Sequence, residues 1–90
     1  MTTRTKPRIV ILNPNSTERM TTEMVTAART TVGALAEVVG MTNHRGPAAI
    51  QGPEDAELCL DGLFARFDEA RDQGADAVVS GCFDDTGLAT

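Results

Sequence analysis

The chain alternates short aliphatic segments with longer stretches in which apolar residues recur at helical spacing. Residues 8–13 (RIVILN) form a nearly unbroken aliphatic run, which is typical of a strand buried on both faces of a parallel sheet. Residues 34–41 (ALAEVVGM) and 75–81 (ADAVVSG) predict a second and a third strand, although Gly40 interrupts the second. We therefore expect three short strands separated by two helices.

The first helix is predicted between the first and second strands. Asn15 and Ser16 are both favourable N-caps, and Asn15 with Glu18 three residues later resembles a capping box. The helix should therefore begin near Ser16, and Gly33 should end it. The residues that share one face at helical spacing are Met20, Met24, Ala27, Ala28 and Thr31.

The second predicted helix follows a loop without periodicity, residues 42–53 (TNHRGPAAIQGP). Loops of this length in compact domains often carry function. Pro53 or Glu54 should open the helix, because proline suits the first turn and acidic residues suit the positive end of the helix dipole. Gly74 should close it. The residues expected to face the core are Ala56, Cys59, Leu60, Leu63, Phe64, Phe67 and Ala70.

The order strand, helix, strand, helix, strand predicts right-handed crossovers and an α/β fold: a three-layer sandwich with a short parallel sheet of strand order 2-1-3. We expect residues 1–90 to form a single α/β lobe. Residues 83–87 (FDDTG) indicate a loop leading into a further helix, so the lobe is expected to be truncated at its third crossover.

Composition narrows the class of protein. The 90 residues are 41% hydrophobic with a formal net charge of -5, and no aliphatic run approaches the ~20 residues that span a bilayer, so a soluble globular domain is expected. The acidic balance disfavours nucleic acid and membrane surfaces as partners. No secretory signal is recognised, so a cytoplasmic location is expected. The two cysteines are expected to be thiols, too few for a cysteine-only zinc site, and no metal is expected.

Topology predicts where a ligand would bind. In an open parallel sheet of order 2-1-3, the crevice lies beyond the carboxyl ends of strands 1 and 3. Residues 13–17 (NPNST) and 82–85 (CFDD) should meet there. The first segment offers amides, hydroxyls and the N–H groups of a helix start, which suits a small anionic or carbonyl-bearing ligand, but it lacks the glycine pattern of a phosphate-binding loop. Asn15 and Ser16 could also serve only as caps.

Cys82 is the sharpest candidate for chemistry. A thiol at a strand's carboxyl end, close to a helix start, can be held as a thiolate and act as nucleophile or general base, although a buried structural thiol is an equal alternative. Cys59 falls on the apolar stripe of the second helix and is interpreted as core. His44 is interpreted as a surface loop residue. Asp84 and Asp85 could cap the next helix or shape the site.

Three strings carry a family resemblance: IVILNPNST, MTNHRGPAAIQGPEDA and DAVVSGCFDDTGL, in that order. They resemble the amino-terminal part of the aspartate/glutamate racemase superfamily, most closely hydantoin and allantoin racemases, over about residues 8 to 88. The resemblance implies a flavodoxin-like half of a two-lobe enzyme that racemises amino-acid derivatives without a cofactor, using one thiol on each side of the substrate's Cα. It implies that Cys82 is one catalytic thiol and that the substrate-binding residues are Asn13, Asn15, Ser16, Thr17, Ile50, Gly81, Phe83 and Asp84.

The same resemblance leaves one thiol to be found. Family members resemble two similar lobes with the site between them, each lobe supplying a cysteine, and this chain matches the first lobe. The second cysteine is expected from a second lobe or from a partner copy, so a homo-oligomer or a lobe pair is expected. The alternatives are a related thiol-dependent decarboxylase or cis-trans isomerase, or a non-catalytic α/β domain that binds a small molecule.

Overall fold

The computed structural model of the protein describes residues 6–82, so the predictions for Phe83, Asp84 and Asp85 lie outside the described residues. The elements in chain order are strand β1 (Arg8–Asn13), helix α1 (Glu18–Val32), a 3-10 turn (Gly33–Leu35), strand β2 (Glu37–Thr42), helix α2 (Pro53–Asp72) and strand β3 (Ala77–Ser80).

The three strands form one parallel sheet in the order β2-β1-β3, which confirms the predicted fold class and strand order. Alternate residues of the central strand β1 face opposite helices. Val10 and Leu12 pack in a cluster with Leu63 of α2, whereas Ile11 packs with Val25 of α1. One helix therefore covers each face of the sheet, and β1 is buried from both sides, as its unbroken aliphatic sequence requires.

The prediction for the start of the first helix is wrong by two residues. The helix begins at Glu18 with Thr17 as its N-cap, and no side chain caps it. The Asn15 Oδ1 instead accepts the Thr17 N–H at 2.9 Å, which makes a local turn before the helix. Asn15 is therefore not a capping-box residue. The N-cap is Thr17, and the Asn15 Oδ1 accepts the N–H of this N-cap residue.

The second strand also begins later than predicted, at Glu37, because residues Gly33–Leu35 form the 3-10 turn. The third strand is shorter at both ends than the predicted 75–81. The punctuating residues behave as expected. Gly33 ends α1, and Pro53 opens α2. Gly74 has a φ of 82°, and its N–H donates to the Arg71 carbonyl at 3.0 Å in a C-terminal cap.

The predicted core faces of both helices are partly wrong. In α1 the buried residues are Thr21 and Val25, while Met20 is 42% exposed and Ala27 and Thr31 are also exposed. The reason is that α1 is rotated so that Thr21 and Val25 face the sheet most directly. The predicted residues Met24 and Ala28 are partly buried beside them.

In α2 the buried residues are Cys59, Gly62, Leu63 and Ala70, whereas Phe67 is 44% exposed. The apolar face of α2 is wider than the surface that the three short strands cover, so residues at its margin stay exposed. Neither α1 nor α2, the two α-helices within residues 6–82, combines the length and the apolar character of a membrane-spanning helix.

Candidate active site

A cleft of about 810 Å³ opens beyond the carboxyl ends of β1 and β3, where the topology predicts a binding site. Three parts of the chain contribute: the turn after β1 with the first turns of α1, the loop before α2, and the end of β3. The lining residues are Asn15, Met20, Glu23, Met24, Ala49, Ile50, Ser80, Gly81 and Cys82.

The structure brings four of the predicted site residues to this cleft: Cys82, Gly81, Asn15 and Ile50. Asn13, Ser16 and Thr17 are not among the lining residues. Asn13 is 1% exposed, and its Nδ2 donates to the Asn15 Oδ1 in the turn after β1. The hydrogen bonds that the structure shows for these three residues lie within the protein, and their role as direct substrate contacts stays a prediction.

Cys82 follows β3 in a segment that continues along β1. The Gly81 N–H donates to the Leu12 carbonyl at 2.8 Å, and the Cys82 N–H donates to the Ser80 carbonyl at 3.0 Å. A side chain at position 81 would lie 2.5 Å from the Met24 Sδ, so glycine allows the chain to pass close to α1. Cys82 is a thiol of intermediate exposure, reachable from the cleft.

Asn15 also lines the cleft, and hydrogen bonds hold its carboxamide. Its Oδ1 accepts two hydrogen bonds, from the Asn13 Nδ2 and from the Thr17 N–H, both at 2.9 Å. Among the described residues, the partner of its Nδ2 is a weak acceptor, the Met20 Sδ at 3.5 Å. The oxygen end therefore accepts two hydrogen bonds from the protein, whereas the nitrogen end has a weak partner in Met20, which itself lines the cleft.

Ser16 and Thr17 attach the loop before α2 to the turn after β1. The Ser16 N–H donates to the Pro47 carbonyl at 2.8 Å, and the Thr17 hydroxyl donates to the Ala48 carbonyl at 2.6 Å. These bonds place the following residues, Ala49 and Ile50, on the cleft wall. The hydroxyl-bearing residues of the NPNST segment thus shape the cleft without lining it.

Asn43 is a residue that the sequence reasoning missed. It is 1% exposed, and its Nδ2 donates to the carbonyls of Pro14 at 2.9 Å and Cys59 at 3.0 Å. It therefore ties the turn after β1 to α2. Its position directly after β2 was an available signal, because the residues that follow parallel strands meet at one edge of the sheet.

Cys59 and His44 lie outside the cleft lining. Cys59 is fully buried, its thiol donates to the Asp55 carbonyl at 3.1 Å, and burial raises the pKa of this thiol, followed by the negative charges of Cys82 and Asp55. The His44 Nε2 lies 3.1 Å from the Glu18 Oε2 on an exposed surface. Both placements agree with the interpretation of Cys59 as core and His44 as a surface residue.

The chemistry available in the cleft is that of a thiol and neutral hydrogen-bond donors. Among the lining residues that the structure describes, Glu23 is the single charged side chain, and none is Lys or Arg. Within residues 6–82, no group of His, Cys, Asp and Glu side chains could hold a metal ion. A ligand would therefore be held by amide and backbone groups and by the apolar side chains of Met20, Met24 and Ile50.

Comparisons with known proteins show the family of the chain. Residues 9–90 match the family model described as Asp/Glu/Hydantoin racemase. The chain is 36% identical over 80 residues to the hydantoin racemase of Rhizobium meliloti, covering 89% of this chain and 33% of that protein. It is 35% identical over 82 residues to the hydantoin racemase of Paenarthrobacter aurescens, covering 90% and 35%.

Among solved structures, the allantoin racemase from Klebsiella pneumoniae is similar with a TM-score of 0.87 and 30% sequence identity, covering 92% of this chain and 34% of that chain. The chain thus spans about one third of the length of the relatives it matches. With the family model covering nearly the whole chain, this protein belongs to the Asp/Glu/hydantoin racemase family.

Proposed function

We propose that the protein takes part in cofactor-independent racemisation of a hydantoin-type ring, such as a 5-substituted hydantoin or allantoin, with Cys82 as one of two catalytic thiols. The observation that carries the proposal is the meeting of the Cys82 thiol and the Asn15 carboxamide in one cleft at the carboxyl edge of the sheet. The similarity to hydantoin and allantoin racemases supports the substrate class.

The charge of the cleft favours a neutral ring over a dicarboxylate. A diacid substrate would bring two negative charges beside Glu23 into a cleft whose described lining has no Lys or Arg to pair with them. A hydantoin ring carries carbonyl oxygens and N–H groups, which match amide donors and acceptors. The same argument disfavours the alternative reactions on small diacids.

The reaction needs only a proton transfer at Cα. The carbonyl beside Cα acidifies its proton, and the Cys82 thiolate removes that proton, so an S–H bond forms as the C–H bond breaks. The electron pair moves into the ring as an enolate, whose oxygen accepts a hydrogen bond from the Asn15 Nδ2. A thiol on the opposite face then gives its proton to Cα and becomes the thiolate, which inverts the centre with protons and charge balanced.

The second thiol is proposed to come from a second lobe or a partner copy. Cys59 does not fit that role, because it is fully buried and does not line the cleft. The two thiols must approach one carbon from opposite faces, so a partner surface has to close over Cys82.

The test compares Cys82→Ser with the matched control Cys59→Ala in an active preparation of the protein. Racemisation of one enantiomer of a 5-substituted hydantoin is followed by chiral chromatography, and exchange at Cα by deuterium uptake from heavy water. We expect Cys82→Ser to lower the rate at least about a hundredfold, the scale of a positioned acid or base, and Cys59→Ala to retain it.

Undiminished racemisation and deuterium uptake by Cys82→Ser would refute the proposal. Assays with an arylmalonate and with a cis diacid run in parallel, and turnover of either in preference to the hydantoin would redirect the assignment to a decarboxylase or a cis-trans isomerase.

A further inference from the structure

We infer that Asn13 is a positioning residue that acts through Asn15, and that the buried hydroxyls of Thr21 and Thr42 hold Asn13 in place. The inference rests on the proposed function, because the purpose of the arrangement is to present the Asn15 Nδ2 to an oxygen of the substrate. It assigns roles to Asn13, Thr21 and Thr42 that the cleft lining alone does not indicate.

Hydrogen bonds to the backbone distinguish the oxygen from the nitrogen in the carboxamides of Asn13 and Asn15. The Asn13 Oδ1 accepts the Asn15 N–H at 3.1 Å, and the Asn13 Nδ2 lies 3.1 Å from the Thr17 carbonyl. The two hydrogens of this Nδ2 are shared among three acceptors, the Thr17 carbonyl, the Asn15 Oδ1 and the Thr21 Oγ1. A backbone N–H is only a donor and a carbonyl only an acceptor, so the Asn13 amide is held in one orientation. The Thr17 N–H sets the orientation of the Asn15 amide in the same way.

The hydroxyl chain beneath Asn13 also has one direction. The Asn13 Nδ2 donates to the Thr21 Oγ1 at 3.0 Å, the two threonine hydroxyls lie 2.7 Å apart, and the Thr42 hydroxyl donates to the Glu18 Oε1 at 3.2 Å. The carboxylate at the far end accepts, so Thr42 gives its hydrogen to Glu18 and receives one from Thr21. Every donor from Asn13 to Glu18 therefore points the same way, and each hydroxyl both donates and accepts.

The result is an N–H donor of fixed orientation, the Asn15 Nδ2, on a residue that lines the cleft. Asn15 is 6% exposed, and its oxygen already accepts two hydrogen bonds from the protein. Within residues 6–82, the partner of its Nδ2 is the Met20 thioether at 3.5 Å, a weak acceptor that a substrate oxygen would outcompete. A buried amide oriented before the substrate arrives needs no reorganisation when negative charge develops on that oxygen.

Asn13 supplies one of the two bonds that hold the Asn15 oxygen. Without it, the carboxamide keeps only the Thr17 N–H and gains freedom about its terminal torsion. The loss should appear mainly in the rate of the chemical step, because the donor is needed most when the enolate forms.

The decisive experiment is a double-mutant cycle on kcat in an active preparation of the protein. We expect Asn15→Ala to lower kcat about a hundredfold, as the loss of one preorganised donor does, and Asn13→Ala to lower it about tenfold. If Asn13 acts only through Asn15, the double variant is no slower than Asn15→Ala alone. A further tenfold loss in the double variant would overturn the inference, because Asn13 would then act independently.

Thr21 provides a second arm that does not depend on altering Asn13. Thr21→Val removes the hydroxyl with little change in shape, and we expect kcat to fall about threefold with KM unchanged, whereas Thr21→Ser should restore the rate. The control is Thr30→Val in the same helix, where the exposed hydroxyl donates to the Thr26 carbonyl at 2.9 Å. Equal effects of the Thr21 and Thr30 substitutions would contradict the inference.

A spectroscopic arm separates this inference from the proposed function. The Asn15 side-chain amide pair, identified in a nitrogen-15 spectrum by its loss in Asn15→Ala, should be well dispersed in the native protein and in Thr21→Ser. It should move toward the averaged position of a mobile amide in Asn13→Ala while the backbone spectrum is retained. An unchanged pair in Asn13→Ala would overturn the positioning role, whereas failure of the Cys82→Ser test would refute only the racemase proposal.

Discussion

Replacing Gly62 by alanine should destabilise the fold, although the same change in a helix interior ordinarily stabilises a protein by about 1 kcal/mol. Gly62 is buried in the middle of α2. A Cβ built there overlaps the Asn43 Oδ1 and lies 2.9 Å from its Cγ and 3.1 Å from its Nδ2. The helix backbone therefore packs directly against the Asn43 carboxamide, and the methyl group has no space.

The expected loss follows from what Asn43 does. Its Nδ2 donates to the buried carbonyls of Pro14 and Cys59, so a displaced carboxamide leaves buried polar groups without partners. One such lost bond costs about 2 kcal/mol, and overpacking costs about 1–3 kcal/mol. After subtraction of the helix-propensity gain of about 1 kcal/mol, the free energy of unfolding should fall by about 2–4 kcal/mol.

The assay is urea unfolding followed by circular dichroism, with the slope of the free energy against urea checked for constancy. The Asn43→Ala background isolates the clash, because Gly62→Ala should there be neutral or stabilising by about 1 kcal/mol. Gly52→Ala is the control: no atom lies within 4 Å of the added Cβ and the backbone is extended, so the change should stay below about 1 kcal/mol.

Two results would refute this reasoning. Gly62→Ala could stabilise the native protein, as a Gly→Ala substitution at an exposed helix position does. Alternatively, it could cost the same free energy with and without the Asn43 side chain, which would place the strain elsewhere than in the carboxamide contact.

Two further predictions concern the cleft and the buried thiol. Gly81→Ala should raise KM about threefold, because the added Cβ displaces the flexible end of Met24 into the cleft. The free energy of unfolding should fall by less than about 1 kcal/mol. Unchanged steady-state kinetics would contradict this prediction. For Cys59, burial raises the pKa above 9.0, so the neutral thiol stabilises the fold fully below pH 9.0 and that stability is lost as the pH rises through the folded pKa. The alkaline decline in unfolding free energy should be smaller in Cys59→Ala, and equal declines would exclude the thiol as its source.

Much of the fold follows from local pattern. The aliphatic run of β1, Gly33 at the end of α1 and Pro53 at the start of α2 each act through neighbouring backbone, so the chain order of elements could be predicted. The start of α1 could not, because Asn15 had two favourable uses, as a cap or as a turn residue. The choice depended on Asn13, whose carboxamide contacts Asn15 once β1 and α1 are packed.

The candidate site divides in the same way. Its location and its thiol could be predicted, because parallel strands end at one edge and Cys82 directly follows a strand. The roles of the residues in the NPNST segment could not, since all five are polar or turn-forming and all lie near the edge. Only packing separates Asn15, which lines the cleft, from Asn13, which supports it.

The sequence by itself determined the order of strands and helices, the parallel sheet with β1 at its centre, and the edge of the sheet at which Cys82 and the NPNST segment meet. These depend on strand burial and on the fixed handedness of crossover connections, which short stretches of chain encode. The tertiary structure alone decided the rotation of each helix, which left Met20 and Phe67 partly exposed, and the partners of each buried amide. The helix rotations and the amide partners are set by contacts between residues distant in the chain, so the spacing of apolar residues along the sequence does not predict them.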